Sequence, residues 1–424
     1  MNIKLYELKK VITSPIILIL TILFVFFNIM NIKTSSYIKN DINAINKIIG
    51  EFGSEINDKA LDKMKSENIS NLEKINLISK EKFNKTFESI ADFIESDEYL
   101  SATYDDKVFS KGENQFFIEA NALDYYATVA NDVIADYEDI DIKSIGEGTI
   151  EAYDIKGKAE DLVREEYKKL EDRFEEIKEN KEHKNFFFFG KLFKTHKLLY
   201  KETIRTCIFE IVILVVLIST HLINYEFDNK TSLLVYSTKR GRNNVKDKIL
   251  VSICSSLLVS MIILGITLLA YFITFDYSNV LNVPINSSFN WDYKLPYIGW
   301  FNITFIQHLG LSLLVILVCV PIFACITLII SKIVKNSYIV FFVFFILFGI
   351  CIMIPSLVST SSVLITKIGY DVFNLIISPD SFFMQRGPFN LNKYYEVITL
   401  SAWIIITTLG SVAVINRFKK IDIN

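Results

Sequence analysis

Cysteine is rare in this sequence, and its placement excludes a domain that is stapled by disulfides. All five cysteines lie inside strongly apolar runs, and the polar segment between residues 33 and 194 has none. Small secreted domains that depend on disulfides carry cysteines throughout their polar sequence. The spacings also fit no cysteine-based metal site. The five are Cys207, Cys254, Cys319, Cys325 and Cys351.

Histidine and glycine are also scarce, and the common signatures of enzymes are missing. The four histidines are too scattered along the chain to form a metal-ligand set. A phosphate-binding loop needs several glycines followed by Lys-Ser or Lys-Thr, whereas STKRGRNN at 237–244 has one glycine and neither pair. No serine or cysteine has a base partner that the sequence reveals. We therefore expect no catalytic residue, metal or cofactor on this chain, and no enzymatic activity of its own.

Apolar residues, in contrast, are abundant. They make up 51% of the 424 residues, and the mean hydropathy is +0.33, which is typical of membrane proteins. A net charge of −3 gives no reason to expect nucleic acid as a partner. The charge is unevenly spread, because residues 33–194 hold about 36 acidic and 24 basic residues and the remainder is basic. Richness in Ile, Asn, Lys and Phe indicates a low-GC bacterial source.

Long apolar runs predict the fold class. A helix that crosses a bilayer needs about 20 mostly apolar residues, and six windows of the sequence meet that length. The sequence therefore predicts an all-α polytopic protein of the cell membrane with six transmembrane helices. We place these spans at 15–31, 203–224, 249–275, 305–331, 338–358 and 397–416.

The first 14 residues predict an amphipathic elbow helix on the inner membrane surface. Ile3, Leu5 and Leu8 alternate with charged residues, as in helices that lie in the interface. The stretch TSP at 13–15 supplies a hydroxyl cap and then a proline at the first position of the next helix. The apolar run that follows is too long for a signal peptide and has no small-residue cleavage pattern behind it, so we expect a retained anchor.

Basic residues near the span ends predict the orientation. The N-terminus, the 225–248 loop, the connection between the fourth and fifth spans and the 417–424 tail are all basic. In a six-helix alternation these four segments share one side, so we expect both termini in the cytoplasm. The basic run before the second span, which ends at Arg205, falls on the other side. Long translocated domains largely escape the charge rule.

The insert at 32–200 predicts a large, mostly helical extracellular domain. Apolar residues recur at three- and four-residue steps from Ile42 to Ile56 and from Val163 to Ile177, with charges at the other positions. The middle of the insert, 112–157, holds most of the glycines and turn residues, and we expect a small strand element in the domain. The run Phe186–Phe189 is expected to anchor the domain at the membrane interface.

Three ionisable residues lie inside the predicted spans, where they are costly and by default suggest a functional site. Glu210 and His221 would line a translocation path if they pair inside a helical interface, and His308 is a weaker candidate for the same path. The simpler alternative places Glu210 at the headgroup boundary beside Lys201 and Arg205. His221 would then face the cytoplasmic interface.

Taken together, these features resemble the membrane (permease) subunit of the type-2, exporter-like ABC transporter family. The matching elements are the elbow KLYELKKVITSP, six spans with both ends inside, the insert between the first two spans, and the loop after the second. That loop resembles the family pattern of a Glu, a small or hydroxyl residue, a Leu-rich patch and a basic turn. Asparagine and lysine replace the glycine that is frequent before the hydroxyl residue. The residues are Glu226, Thr231, Leu233, Leu234, Arg240 and Arg242.

The resemblance implies partners. The 225–248 segment would be a coupling helix that docks on a separate ATPase subunit, and this partner would hold ATP and Mg. A second permease, identical or homologous, would complete the pathway in the membrane lipid, and 359–396 would fold partly back into the outer leaflet. Independently of the family, this loop is the only sizeable predicted cytoplasmic segment that a soluble motor could contact. The simpler interpretation is that its charges merely fix the orientation.

The expected function is therefore that of an exporter permease, for a peptide antibiotic, a lipid-linked molecule or a small toxic compound. Two alternatives are a membrane receptor whose acidic extracellular domain binds a ligand, and an ABC-related subunit that transmits force without transport. A receptor usually has one or two spans and a recognisable output domain. Force-transmitting relatives generally have four spans, so the six predicted spans favour the permease.

Overall fold

The computed structural model describes residues 3–103, 108–188, 193–238, 241–292, 295–385, 387–388 and 390–420. Within these residues the chain is helical almost throughout, and its sheet is an antiparallel pair of two-residue strands, β1 (Trp291–Asp292) and β2 (Leu295–Pro296). In chain order the helices are α1 (Ile3–Ile12), α2 (Pro15–Thr34), α3 (Lys39–Phe52), α4 (Asp58–Phe83), α5 (Ile90–Glu95), α6 (Asp97–Ala102), α7 (Lys111–Glu138), α8 (Ile142–Ala152), α9 (Lys158–Glu179), α10 (Phe193–Lys197), α11 (Arg205–Asp228), α12 (Ser232–Tyr236), α13 (Asn244–Thr274), α14 (Phe305–Ile333), α15 (Ser337–Leu357), α16 (Ile365–Ile368), α17 (Val372–Ile376) and α18 (Tyr395–Lys420).

Six helical segments of the described chain are long and apolar enough to cross a membrane, as the sequence predicts. The first continues beyond the predicted span through a short 3-10 turn into α3. The second begins earlier than predicted, because α10 passes through a π-helical turn at Leu198–Ile204 into α11. The chain is therefore an all-α multi-pass membrane protein. The segments are Pro15–Phe52, Phe193–Asp228, Asn244–Thr274, Phe305–Ile333, Ser337–Leu357 and Tyr395–Lys420.

The second segment lies at the centre of the bundle. In its most apolar window 72% of the residues are buried, against 17% in the first and fifth segments. Helix α11 packs against α2, α13, α14 and α15. The outward faces of α2, α15 and α18 stay apolar although they are exposed, because they meet lipid rather than water.

The two ends of the bundle carry different elements. One end, the terminal end, carries α1, α12, the start of α13 and the end of α18, and the opposite end, the insert end, carries α3 to α9. Helix α1 lies across the terminal end against α11 and α13. Pro15 begins α2 as predicted, but the predicted hydroxyl cap is wrong. The Ser14 side chain makes no capping bond, and the Thr13 hydroxyl donates instead to the Lys9 carbonyl at 2.8 Å.

The inserted segment is helical, with α3 to α9 as its elements. Helix α9 buries the predicted apolar stripe from Val163 to Ile177. The expectation of turns at 112–157 is wrong, since α7 and α8 cover most of it. A capping box between Ser110 and Glu113 begins α7, and apolar contacts then carry the helix past the glycine at its second position.

Two further expectations for the insert also need correction. Among the described residues the insert has no strand, and its β structure is an isolated bridge between Glu55 and Asn185. The aromatic run does not anchor the domain at an interface: Phe186, Phe187 and Phe188 are fully buried in the core, and Phe189 lies outside the described residues. Helical periodicity could not reveal this burial, because Phe186, Phe187 and Phe188 lie in a connection rather than in a helix.

The connection between α15 and α18 folds back into the bundle. Helix α17 packs against α14, α15 and α18, and the Phe373 ring contacts those of Phe323 and Phe344. The Asn374 side-chain amide donates to the carbonyl of Cys351 at 3.0 Å. Phe344 lies about 20 Å along α15 from its end at Leu357, from the rise of 1.5 Å per residue. This part of 359–396 therefore enters the layer of the spanning helices.

Candidate functional site

A group of buried charges joins the helices at the terminal end. The Glu226 carboxylate accepts from Lys10 Nζ at 3.3 Å, from the Tyr236 hydroxyl at 3.1 Å, and from Lys248 Nζ. Lys10 Nζ also contacts the Glu7 carboxylate at 3.0 Å. We name these five residues the terminal charge cluster.

Helix packing brings the cluster together. Glu7 and Lys10 are one turn apart on α1, Glu226 lies in the last turn of α11, and Lys248 lies in the second turn of the neighbouring α13. Lys248 is 0% exposed and Glu226 is 3% exposed. Lys248 Nζ also donates to the Leu222 carbonyl at 2.7 Å. Charges buried this deeply persist only when they are paired, so the cluster ties α1, α11, α12 and α13 to one another.

The loop at 229–243 begins with a strained turn. Lys230 has a φ of +56°, in the left-handed region that favours glycine. The Thr231 amide then donates to the Glu226 carbonyl at 2.8 Å and satisfies one of the free carbonyls at the end of α11. Lysine thus occupies a conformation in which glycine would be less strained.

Helix α12 is fixed on its inner side and open on its outer side. The buried Tyr236 ring contacts the rings of Phe227 and Phe418. Burial raises the pKa of Tyr236, and the negative charge of Glu226 raises it further. Its hydroxyl therefore stays protonated and donates. On the outer side Leu233 is 62% exposed and Leu234 is 75% exposed, and we name this pair the leucine ridge.

A close approach also fixes the end of the loop. A Cβ atom at Gly241 would lie 1.8 Å from the Val235 carbonyl oxygen, so a side chain here would push the two parts of the loop apart. A cavity of about 660 Å³ lies between α1 and the loop, next to the leucine ridge. Tyr6, Glu226 and Leu234 contribute to its walls.

The structure separates the six predicted docking residues. Thr231 is exposed together with the leucine ridge, whereas Glu226 lies beneath them. The Glu226 carboxylate is not exposed for a surface contact, because two lysines and a tyrosine already surround it, so its role in docking stays a prediction. Arg240 lies outside the described residues, and so does the side chain of Arg242.

A second polar group joins three spanning helices. The Asn28 side-chain amide lies 2.7 Å from Glu210 Oε2, 3.2 Å from Thr267 Oγ1 and 3.5 Å from Cys207 Sγ. Glu210 is buried and faces α2 and α13. It therefore lies inside a helical interface, where Asn28 is its hydrogen-bond partner.

The basic residues before α11 have a different partner. Lys201 Nζ lies 3.6 Å from Asp380 Oδ2, and an Arg205 guanidinium nitrogen lies 3.4 Å from Asp380 Oδ1. Asp380 follows α17 in the connection that folds back into the bundle. These contacts give the two cations at the insert end a shared acidic partner.

His308 and His221 lie at opposite ends of the bundle. His308 is fully buried, with its ring nitrogens 2.8 Å from the Tyr200 hydroxyl and 2.9 Å from the Phe382 carbonyl oxygen. His221 lines a cavity of about 680 Å³ between α2, α11 and α15. Glu210 and His221 are eleven residues apart, or about 16 Å along the helix. The structure therefore does not bring the three predicted path residues together.

Sequence reasoning missed most of the polar partners. From the sequence, Lys10 and Lys248 were recognised only as basic residues that predict the orientation, and Tyr236, Asn28 and Thr267 were not identified. A signal existed for Lys248, because a lysine in the second turn of a long apolar helix is costly unless it has a partner. Asparagine and threonine in a span give a weaker signal, since they are tolerated without a charge partner.

Comparison of the sequence with models of known protein families, with curated proteins and with solved structures found no match in any of the three. A functional assignment therefore depends on the arrangement of the residues described above. Helical membrane bundles serve many activities, so the fold alone does not indicate which one this chain has, and the assignment is argued from its exposed and buried groups.

Proposed function

We propose that this chain is the permease subunit of an ATP-binding-cassette exporter. It works with a separate ATPase subunit, which holds ATP and Mg, and with a second permease that is either identical or homologous. The observation that carries the proposal is the leucine ridge at the terminal end. The ridge lies on a short helix that is braced from beneath by the terminal charge cluster.

The ridge has the properties that a motor contact requires. A soluble ATPase moves membrane helices only through surface that it can contact, and Leu233 and Leu234 offer exposed apolar area for burial. A flexible loop would absorb the motion of the motor. Here Tyr236 and Glu226 connect α12 to α11, and Lys10 and Lys248 extend the connection to α1 and α13. A displacement of the ridge is therefore passed to three helices.

The charge distribution supports a cytoplasmic position for the terminal end. The basic residues of α1, of the loop, of the α14–α15 connection and of the last turn of α18 belong to this end. Under the positive-inside rule the terminal end faces the cytoplasm and the insert faces outward. The substrate is then a peptide antibiotic, a lipid-linked molecule or a small toxic compound that moves toward the insert end.

The proposal is tested by removing the ridge while keeping the buried cluster. The tagged chain is co-expressed with a candidate ATP-binding subunit taken from its neighbouring genes, and the complex is purified in detergent. The double variant Leu233→Asp, Leu234→Asp is expected to lose the ATPase, because two carboxylates cannot be buried in an apolar contact. Leu77→Asp is the matched control, since Leu77 is 71% exposed on α4 at the insert end.

Three results would contradict the proposal. Undiminished co-purification of the ATPase with the ridge variant would place docking elsewhere. ATP hydrolysis by the purified chain alone would remove the need for a separate motor. A reconstituted pair that hydrolyses ATP without exporting any compound would favour the force-transmitting alternative.

A further inference from the structure

A cavity of about 390 Å³ lies between the inserted domain and the spanning helices, at the opposite end from the leucine ridge. Helix α9 forms one wall and α16 with Tyr370 forms the other. Ile398, the fourth residue of α18, lines it as well. Its volume falls within the range of sites that bind small molecules.

The walls of this cavity are fixed to each other. Ile365 of α16 and Leu391 are buried in one core with Val163 of α9. The Thr360 hydroxyl donates to the Asp154 carbonyl at 2.8 Å and joins the connections that precede α16 and α9. The cavity is therefore preformed and does not depend on closure of a mobile segment.

The lining is apolar inside and charged at two positions. Leu162 and Ile398 are apolar and partly exposed, at 36% and 44%. The Glu166 carboxylate accepts from Lys169 at 2.8 Å and from the Asn392 amide at 3.3 Å, so its charge is compensated. Lys367 is exposed and forms no ion pair with any residue that the structure describes. The cavity thus combines apolar walls with one uncompensated cation.

We propose that this cavity binds an acyl chain of an anionic phospholipid from the surrounding bilayer, with the lipid phosphate at Lys367. The first turn of α18 exposes Val397 and Ile398, at 55% and 44%, which places the cavity where the apolar surface of that helix begins. Bilayer lipid therefore reaches the cavity directly. An ammonium group and a phosphate form a charge-assisted contact, and the apolar walls take the chain.

Photo-crosslinking in vesicles tests this site without any ATPase partner, so its outcome is separate from that of the proposed function. The full-length chain is reconstituted in phosphatidylcholine vesicles that contain a trace of phosphatidylglycerol with a diazirine in one acyl chain. A parallel sample contains the matching phosphatidylcholine probe. Labelled peptides are then identified by mass spectrometry. We expect the anionic probe to label the α9 peptide around Leu162 more strongly than the zwitterionic probe does.

Two variants and one control assign the contacts. Lys367→Gln is expected to lower labelling of α9 by the anionic probe about fivefold, the effect of one lysine near a charged lipid surface. Labelling by the zwitterionic probe should fall less, because its choline group offsets the charge of the phosphate. Leu162→Trp fills part of the cavity and should lower labelling by both probes. The control Lys168→Gln removes an exposed lysine from the same helix, outside the cavity lining, and should have no effect.

Equal labelling of α9 by the two probes would overturn the assignment of the anionic headgroup. Labelling that stays on the outward faces of α2 and α15 and never reaches α9 would overturn the site itself. If Leu162→Trp does not give a monodisperse protein, Lys367→Gln decides alone, because that side chain is on the surface. Unchanged labelling in Lys367→Gln would then refute the proposal.

Discussion

Neutralising Glu226 tests whether the terminal charge cluster holds the end of the bundle together. Glu226→Gln keeps the size of the side chain and an oxygen that accepts from the Tyr236 hydroxyl. It removes the negative charge that compensates Lys248, which is 0% exposed and is then left with neutral acceptors such as the Leu222 carbonyl. Removing one member of a buried ion pair typically costs about 3–5 kcal/mol, because the remaining charge is left uncompensated.

The expected loss is therefore about 3 kcal/mol in the free energy of unfolding, measured for the purified chain by reversible denaturation in mixed micelles. The double variant Glu226→Gln, Lys248→Met should regain most of this loss, since it removes both charges. Glu119→Gln is the control, because its partner Lys47 is half exposed and surface pairs of this kind contribute less than about 1 kcal/mol.

If Glu226→Gln stayed within about 0.5 kcal/mol of the wild type, the range of an ordinary surface substitution, the cluster would not hold this end of the bundle together. If the double variant were less stable than the single variant, the two charges would not depend on each other. The same variants separate bracing from docking. In the Glu226 variants the amount of co-purified ATPase should fall in proportion to the loss of stability. The ridge variant should lose the ATPase although its stability is unchanged.

Two further predictions concern other parts of the bundle. Gly241→Ala introduces a Cβ atom 1.8 Å from the Val235 carbonyl oxygen, so the loop should open and trypsin should cleave it faster. We expect overpacking to lower the free energy of unfolding by about 1–3 kcal/mol. Cleavage at the wild-type rate would contradict this. Asn28→Ala removes the 2.7 Å donor to Glu210 and should lower the free energy of unfolding by about 1–2 kcal/mol. If the Asn28→Ala, Glu210→Ala double variant lost as much free energy of unfolding as the two single variants together, the two groups would not be coupled.

Much of the fold follows from local patterns. The six spans are recognisable because a bilayer demands about 20 apolar residues whatever the neighbours are. The stripe on α9 follows from helical periodicity alone, since one face has to be buried. At 112–157 composition misled the prediction. Glycines and turn residues occur there, yet α7 contains a glycine in its first turn, where a capping box already fixes the backbone.

The candidate site divides in the same way. Leu233 and Leu234 could be identified from sequence, because an apolar pair within a charged loop is unusual wherever it folds. The role of Glu226 could not, since a carboxylate at the end of a span is compatible with docking and with burial. The choice depends on Lys10 and Lys248, and Lys10 lies 216 positions away from Glu226 in the chain.

The sequence by itself therefore determined that this is a helical membrane protein with six apolar spans, a basic end and an acidic insert. These properties depend on the length, periodicity and charge of single segments. Only the tertiary structure decided that Glu226 lies beneath the leucine ridge, that Glu210 faces Asn28, and that Asp380 holds Lys201 and Arg205. The buried position of Glu226 depends on Lys10, and Glu210 and Asp380 likewise have partners from distant segments, which no local spacing reveals.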